Sequence, residues 1–232
     1  MIFQRDLLSN VICNIRIPKG INEETGTAIF ISKQDEAYLL TAEHVVKNLN
    51  AQAYAVLAAA DGTPITVLLS DLLGGATFDF HPTADLAKAK INITATNSTY
   101  LTERCFPYDQ IDLTSNPISK DIELTTIGFP LGLGALGNKF TPLTYRTYAA
   151  SPAITFSRFD NNVPSDFIIL ELPSVGGYSG GPTFDLGYVI VGAMTTTKER
   201  TVLHGIVHGT VTDATGGKLS AITPCKYLYG WL

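Results

Sequence analysis

The sequence lacks a long apolar run, although 45% of its 232 residues are hydrophobic. A membrane-spanning helix needs about 18 or more consecutive apolar residues, so the pattern argues against one. The first residues carry an acid at Asp6 and no apolar segment with a small-residue cleavage site, so we expect no signal peptide. The mean hydropathy of +0.18 indicates a globular chain.

Cysteine is also scarce. The three cysteines, Cys13, Cys105 and Cys225, lie far apart and form no C-x-x-C pair. This spacing predicts neither a disulfide framework nor a zinc knuckle. We expect reduced, structural thiols, which favour a cytoplasmic setting, while one disulfide with one free thiol stays open as an alternative.

Positive charge is sparse and scattered. The chain has 16 Lys and Arg against 21 Asp and Glu, a net charge of −5 and a pI of about 5.3. Without a basic cluster, nucleic acid is not an expected partner, and without an apolar span neither is a membrane. The oligomeric state is not determined by these features.

Short β-branched runs separated by Gly, Pro, Asn and Asp fill most of the chain, among them "GTAIFIS", "DFIILELP" and "LHGIVHGTVTD". Only "HVVKNLNAQ" and the C-terminal "PCKYLYGWL" predict helical turns, and "RDLLSN" is ambiguous. The pattern favours an all-β chain of antiparallel barrels or sandwiches. A polar stretch at residues 112 to 121 divides the strands into two similar sets. We therefore predict an N-terminal lobe over 1–115 and a C-terminal lobe over 116–232.

The segment "PSVGGYSGGPTFD" surrounds Ser179 with glycines. Glycine permits positive φ and the close approach of another backbone, so the segment predicts a turn built around an accessible hydroxyl. A flexible Gly-Ser loop is the alternative. A serine nucleophile needs a base and an orienting partner for that base. His44 follows a strand-like run, and Asp85 precedes another, which makes them candidates for these roles.

The segments "TAEHV", "DLA" and "GGYSGGP" occur in this order, and the sequence resembles the trypsin-like, chymotrypsin-fold serine peptidases. The segments "GFPLGLG" and "AITPCKYL" are most similar to bacterial Deg-type and related single-chain peptidases. The resemblance implies two antiparallel six-stranded-type β-barrels with the active site in the cleft between them and a short C-terminal helix. It also implies that Ser179 is the nucleophile, His44 the general base and Asp85 its orienting carboxylate. The N–H groups of Gly177 and Ser179 would form the oxyanion hole.

Tyr178 departs from the pattern of secreted relatives, which carry an aspartate there that pairs with a freed N-terminus. Activation by N-terminal cleavage is therefore not expected. The bulky tyrosine leaves two alternatives for the oxyanion loop, one preformed and one pulled into shape by substrate. The chain ends at Leu232, so the peptide-binding domain that follows many Deg-type catalytic domains is also not expected.

The resemblance also nominates residues that bind substrate. Pro173 would lie at the base of the P1 pocket, where no acid is available for Lys or Arg, so a small or medium apolar P1 side chain is expected. The stretch "AMTTT" would pair with an extended substrate through Met194, Thr195 and Thr196. An ordinary edge strand is the alternative for these three residues.

Three other motifs in the sequence give weaker support for a function. "GLGALG" follows Pro130 and opens no helix, so it predicts a loop and not a dinucleotide site. His204 and His208 have the spacing of a helical zinc pair, but their segment predicts a strand, on which that spacing covers roughly 13 Å. We therefore do not expect them to bind one metal ion together. The elbow motif of α/β-hydrolases requires its acid and histidine after the serine, whereas the partners here precede it.

Two functional hypotheses follow. The first is a serine endopeptidase acting on polypeptides without metal or organic cofactor. The second is a catalytically silent or activator-dependent protein of the same fold that binds an extended peptide or a partner protein. The presence of all three residues of the triad favours the first.

Overall fold

The computed structural model describes residues 1–192, 194–212 and 214–232, without the side chains of residues 190 and 191. Within these ranges, no helix is both long and apolar enough to cross a membrane. The strands form two large antiparallel sheets and one hairpin. This arrangement confirms the predicted chymotrypsin-type fold.

The first large sheet is built from the N-terminal half of the chain. Its strands follow the order β5-β4-β1-β2-β3-β7-β6, and β8 pairs in parallel with β2. Their bounds are β1 Ile12–Lys19, β2 Asn22–Lys33, β3 Glu36–Thr41, β4 Tyr54–Ala58, β5 Pro64–Leu68, β6 Asp79–Phe80, β7 Ala87–Lys90 and β8 Phe106–Pro107.

The second large sheet is built from the C-terminal half. Its order is β10-β9-β13-β16-β17-β12-β11, and β14 and β15 form a separate two-stranded hairpin. The bounds are β9 Leu124–Gly128, β10 Leu143–Thr147, β11 Ala149–Ser157, β12 Pro164–Leu170, β13 Pro182–Asp185, β14 Tyr188–Val191, β15 Met194–Thr197, β16 Val202–Thr212 and β17 Lys218–Pro224.

Neither large sheet is closed by hydrogen bonds between its edge strands within the described residues. The two sheets agree with the predicted two-barrel architecture of six-stranded type, and they have eight and seven strands with open edges within the described residues. The predicted boundary between residues 115 and 116 falls in the connection from β8 to β9 and stays a prediction.

Helix is limited to single turns. The α-helical turns are α1 Arg5–Leu8, α2 Glu43–Val46, α3 Leu69–Leu72 and α4 Ser98–Leu101, and the 3-10 turns are Ser9–Val11, Tyr108–Gln110, Pro130–Gly132 and Cys225–Leu228. The predicted C-terminal helix is thus a four-residue 3-10 turn.

Strand β2 explains how the lobes share an interior. Its apolar run is buried on both faces, because successive side chains of a strand point to opposite sides. Ala28 and Phe30 lie in the core of the first sheet. Ile29 and Ile31 lie in a second core that includes Phe129 and other residues of the second sheet. The two sheets therefore pack against each other and leave a cleft at one edge of the contact.

Candidate active site

The loop from β12 to β13 carries Ser179, and glycine is required at two of its positions. Gly177 has φ +102°, and a Cβ there would lie 2.2 Å from the backbone oxygen of Phe129. Gly180 has φ +81°, and a Cβ there would lie 2.1 Å from the backbone oxygen of Thr27. Close backbone approach on both sides of the serine, not loop flexibility, therefore explains these two glycines.

The peptide planes of this loop are held by hydrogen bonds. Three consecutive carbonyls each accept one: Gly176 O from Leu131 N (2.7 Å), Gly177 O from Thr27 Oγ1 (2.8 Å) and Tyr178 O from Gly181 N (2.8 Å). In a trans peptide the N–H points opposite to the carbonyl of the same plane. The N–H groups of Gly177 and Ser179 have no hydrogen-bond partner among the described residues. Two adjacent donors are thus left unpaired beside the serine.

His44 and Asp85 are brought together from separate elements of the first lobe. His44 lies in α2, directly after β3, and Asp85 precedes β7, the neighbour of β3. His44 Nδ1 lies 2.7 Å from Asp85 Oδ2, and the His44 backbone N–H donates to Asp85 Oδ1 at 3.1 Å. The contact leaves the other ring nitrogen, Nε2, to interact with a substrate or nucleophile.

The Ser179 hydroxyl donates to the backbone oxygen of His208 at 3.3 Å. No hydrogen bond joins it to His44 within the described part of the chain, although both residues line the same cavity. Catalytic hydrogen bonds are often long or absent before substrate binds.

Asp85 has two further partners, both from the second lobe. His208 Nδ1 lies 2.6 Å from Asp85 Oδ2, and Arg158 donates to Asp85 Oδ1 at 3.2 Å. Burial alone would raise the pKa of Asp85, but the hydrogen bonds from His208 and His44 outweigh it and hold that pKa well below its usual range. The carboxylate is thus ionised and fully buried.

Arg158 joins the lobes through a buried ion-pair network. It lies in the turn between β11 and β12, is 2% exposed, and donates to Glu43 at 2.8 Å and to Asp160 at 2.7 Å. Burial lowers the pKa of the guanidinium, but the contacts with Asp160 and Glu43 outweigh it and raise that pKa. One buried guanidinium thus contacts three carboxylates, those of Asp85, Glu43 and Asp160.

The group formed by His44, Asp85 and His208 also contains ligand types that metals prefer. Two ligand atoms on a tetrahedral zinc ion lie about 3.3 Å apart, since each bond is about 2.0 Å long. The nitrogen–oxygen separations of 2.7 and 2.6 Å are shorter, and the Arg158 cation adjoins the same carboxylate. The geometry fits N–H···O hydrogen bonds better than a shared ion.

A cavity of about 520 Å³ lies between the lobes and opens on Ser179 and His44. Phe159 forms one wall, with its ring 5.1 Å from the His44 ring and 4.2 Å from the His208 ring. Gly209 is required beneath it, because a Cβ there would lie 2.9 Å from the Phe159 ring.

The residues predicted to set specificity do not line the cavity that contains Ser179 and His44. Pro173 is exposed and does not line the cavity, whereas its neighbour Ser174 does. Met194, Thr195 and Thr196 lie in β15, in the separate hairpin, and are exposed. The structure does not bring these three residues to the cleft, which is bordered instead by β16 at Gly209 and Thr210. The reason is that Tyr188–Val191 and Met194–Thr197 pair with each other as a separate hairpin, and β16, the strand beside the cavity, follows them in the chain.

Tyr178 is accommodated inside the second lobe. It is 6% exposed and its ring packs edge-on against Tyr145 at 5.0 Å. The side chain therefore points away from the cleft and leaves space on the serine side of the loop.

Sequence reasoning missed the roles of His208 and Arg158. His208 was considered only with His204 as a zinc pair, and on β16 His204 instead contacts Asp112 at 3.0 Å. A signal for the contact of His208 was available in the sequence: a titratable residue stands between Val207 and Gly209, in the strand-like run after the serine loop. For Arg158 we find no comparable signal, because an arginine in a turn is usually exposed.

The chain belongs to the trypsin-like peptidase family, whose domain model matches residues 26–192. No curated protein matches the sequence significantly. The chain is similar to an HtrA-type protease, AlgW, solved with a tripeptide, at TM-score 0.60 and 19% identity, over 96% of this chain and 58% of that one. It thus spans less than two thirds of that relative.

Two further solved structures are similar along most of their length. The MamO protease domain from Magnetospirillum magneticum has TM-score 0.62 and 14% identity, over 99% of both chains. A protease from M. tuberculosis in its active form has TM-score 0.61 and 18% identity, over 97% of this chain and 80% of that one. At these identities the likeness establishes the fold, and it agrees with the predicted Deg-type resemblance.

Proposed function

We propose that this protein is a serine endopeptidase that hydrolyses polypeptides through an acyl-enzyme on Ser179. The observation that carries the proposal is the pair of unpaired N–H groups of Gly177 and Ser179, which lie beside the hydroxyl where the carbonyls of Gly176, Gly177 and Tyr178 each accept a hydrogen bond. Donors fixed in advance at the place where negative charge develops are the largest single contribution in many acyl-transfer enzymes.

The reaction would begin when substrate displaces the Ser179 hydroxyl from the His208 carbonyl. The hydroxyl rotates to His44 Nε2, loses its proton to that nitrogen and attacks the peptide carbonyl. The oxyanion accepts hydrogen bonds from Gly177 and Ser179. His44 then gives the proton to the leaving amine, and water, activated by the same ring, hydrolyses the ester. Asp85 holds the tautomer and stabilises the imidazolium throughout.

Strand β16 is the proposed docking edge for substrate. Beyond Val207 it is no longer paired with β13, and Gly209 and Thr210 border the cavity on that side. An extended peptide can add to such an edge by main-chain hydrogen bonds. The tripeptide bound to the HtrA-type relative agrees with a ligand of this class.

The proposed P1 side chain is small or medium-sized and uncharged. The cavity beside the serine loop is lined by Ser174, Val175 and Gly176, opposite Gly209 and Thr210. None of these five residues carries a charge that could pair with Lys, Arg, Asp or Glu. The charged residues of the same cavity, Glu24, Lys47 and Asp160, lie outside the serine loop and β16, and Asp160 is already paired with Arg158 and Lys47. The role predicted for Pro173 therefore passes to its neighbour Ser174.

A peptide-binding protein without hydrolysis is the second candidate. It is favoured by the Ser179 hydroxyl, which contacts the His208 carbonyl and not His44. Such a protein would use the same edge of β16 but would not form an acyl-enzyme.

Covalent labelling by a fluorophosphonate, read by intact mass, distinguishes the two. We expect one adduct on the wild type and none on Ser179→Ala. Ser115→Ala is the matched control, because Ser115 is an exposed serine outside the cleft, and it should label like the wild type. A folded wild type that takes no adduct would contradict the peptidase and leave the peptide-binding function.

A further inference from the structure

The carboxylate of Asp85 holds two imidazole rings, one from each lobe. His44 Nδ1 and His208 Nδ1 both lie on Oδ2, at 2.7 and 2.6 Å. Oδ1 accepts from the His44 backbone N–H at 3.1 Å and from Arg158 at 3.2 Å. An ionised carboxylate offers about four acceptor positions, so these four donors occupy all of them.

The surroundings of His208 favour one tautomer. The ring is 1% exposed and lies between the rings of Phe159, at 4.2 Å, and Phe167, at 4.5 Å. Its Nε2 is buried without a hydrogen-bond partner among the described residues. A second proton on Nε2 would leave a charged donor unpaired in apolar surroundings, which is costly. The geometry thus favours a neutral ring with its single proton on Nδ1, donated to Asp85.

We propose that His208 is a positioning residue that, together with Arg158, locks the Asp85 carboxylate in the plane required to orient His44. This proposal rests on the peptidase function proposed above and adds a fourth side chain to its machinery. His208 acts through Asp85 and does not itself exchange a proton with substrate. Because His208 and Arg158 belong to the second lobe, the orientation of His44 also depends on how the lobes are packed.

Two variants of His208 distinguish the effect of its hydrogen bond from the effect of its packing. His208→Leu keeps most of the volume and removes the donor, whereas in His208→Asn the amide nitrogen can occupy the place of Nδ1. We expect kcat/KM to fall about ten- to hundredfold in His208→Leu, the effect of one lost hydrogen bond to a charged group. The loss should lie in kcat with KM nearly unchanged, and His208→Asn should recover most of the rate.

The pH profile provides a readout that a purely structural role would not move. The charged and titratable groups around the carboxylate are His44, His208 and Arg158, and those around Arg158 are Glu43 and Asp160, the latter also near Lys47. With one donor removed, the Asp85 charge is less neutralised and attracts the imidazolium of His44 more strongly. The acid limb of the kcat/KM profile should therefore move to higher pH in His208→Leu.

Nitrogen-15 NMR of the histidine rings tests the contact independently of activity. We expect the wild-type His208 ring to carry its proton on Nδ1 at neutral pH, and a wild-type spectrum with that proton on Nε2 would overturn the inference. This measurement needs only the wild type, so it decides the point even where His208→Leu does not fold.

The outcomes separate the two proposals. A wild type that takes the fluorophosphonate, combined with unchanged kcat/KM and an unchanged pH profile in a folded His208→Leu, would overturn the role of His208 alone. An unlabelled wild type with the Nδ1 proton in place would instead remove the peptidase function, and the positioning role with it.

Discussion

Thr27 in the first lobe makes four hydrogen bonds, and two of them hold the loop that carries Ser179. Its hydroxyl donates to Gly177 O at 2.8 Å and accepts from Phe129 N at 3.2 Å. Its N–H donates to Ser179 O at 2.8 Å, and its carbonyl accepts from Thr41 Oγ1 at 2.7 Å. The residue is fully buried. Replacement of Thr27 by valine removes only the two hydroxyl contacts and nearly preserves the shape of the side chain.

We expect Thr27→Val to lower the free energy of unfolding by about 1–5 kcal/mol. Two buried groups, Gly177 O and Phe129 N–H, lose their partner at about 1–3 kcal/mol each, and the added buried methyl group recovers about 1 kcal/mol. The freed Gly177 carbonyl also releases one peptide plane of the oxyanion loop. The rate of acylation should therefore fall about tenfold or more, below the hundredfold or greater loss typical for complete removal of one donor.

Urea unfolding and the rate of fluorophosphonate labelling measure the two effects. Thr27→Ser is the matched control, since it keeps the hydroxyl and loses only a buried methyl group. It should cost about 1 kcal/mol and label near the wild-type rate. If Thr27→Val unfolds at the wild-type midpoint, or labels as fast as Thr27→Ser, the argument that Thr27 holds the loop is refuted.

Three further outcomes are expected. Gly177→Ala should lose at least about 2 kcal/mol of stability and most of its labelling, because the Cβ would lie 2.2 Å from Phe129 O at φ +102°; near-normal labelling in a stable variant would contradict the reasoning. Tyr178→Ala should destabilise by about 3–5 kcal/mol in a thermal melt, since a buried aromatic is removed, and a loss below about 1 kcal/mol would show that the ring is not packed. Burial would raise the pKa of Asp112, but contacts headed by His204 lower it to about 2. Its contribution to stability is therefore complete above about pH 4 and disappears as the pH falls toward 2, so Asp112→Asn should show a flatter acid unfolding curve over that window, and an equally steep curve would contradict it.

Much of the site's local structure follows from short stretches of sequence. The turn of α2 around His44 and the strand that follows Asp85 depend on neighbours within a few residues. Such features are visible as turn residues and β-branched runs. The close approaches at Gly177 and Gly180 are instead to Phe129 and Thr27, which are distant in the sequence. The role expected for "AMTTT" stays a prediction, because the same kind of run fits either a strand beside the cleft or an outlying hairpin.

The sequence by itself determined the class of fold, the family and the three residues proposed for the triad, since these depend on local patterns and short motifs. Only the tertiary structure decided which side chains meet at Asp85. His208 lies 123 positions from it and Arg158 lies 73, and both reach it from the second sheet. Strand periodicity states which residues share a face, but not which edges of two sheets pack together. Packing of the lobes therefore created the buried carboxylate with its four donors, which no single segment encodes.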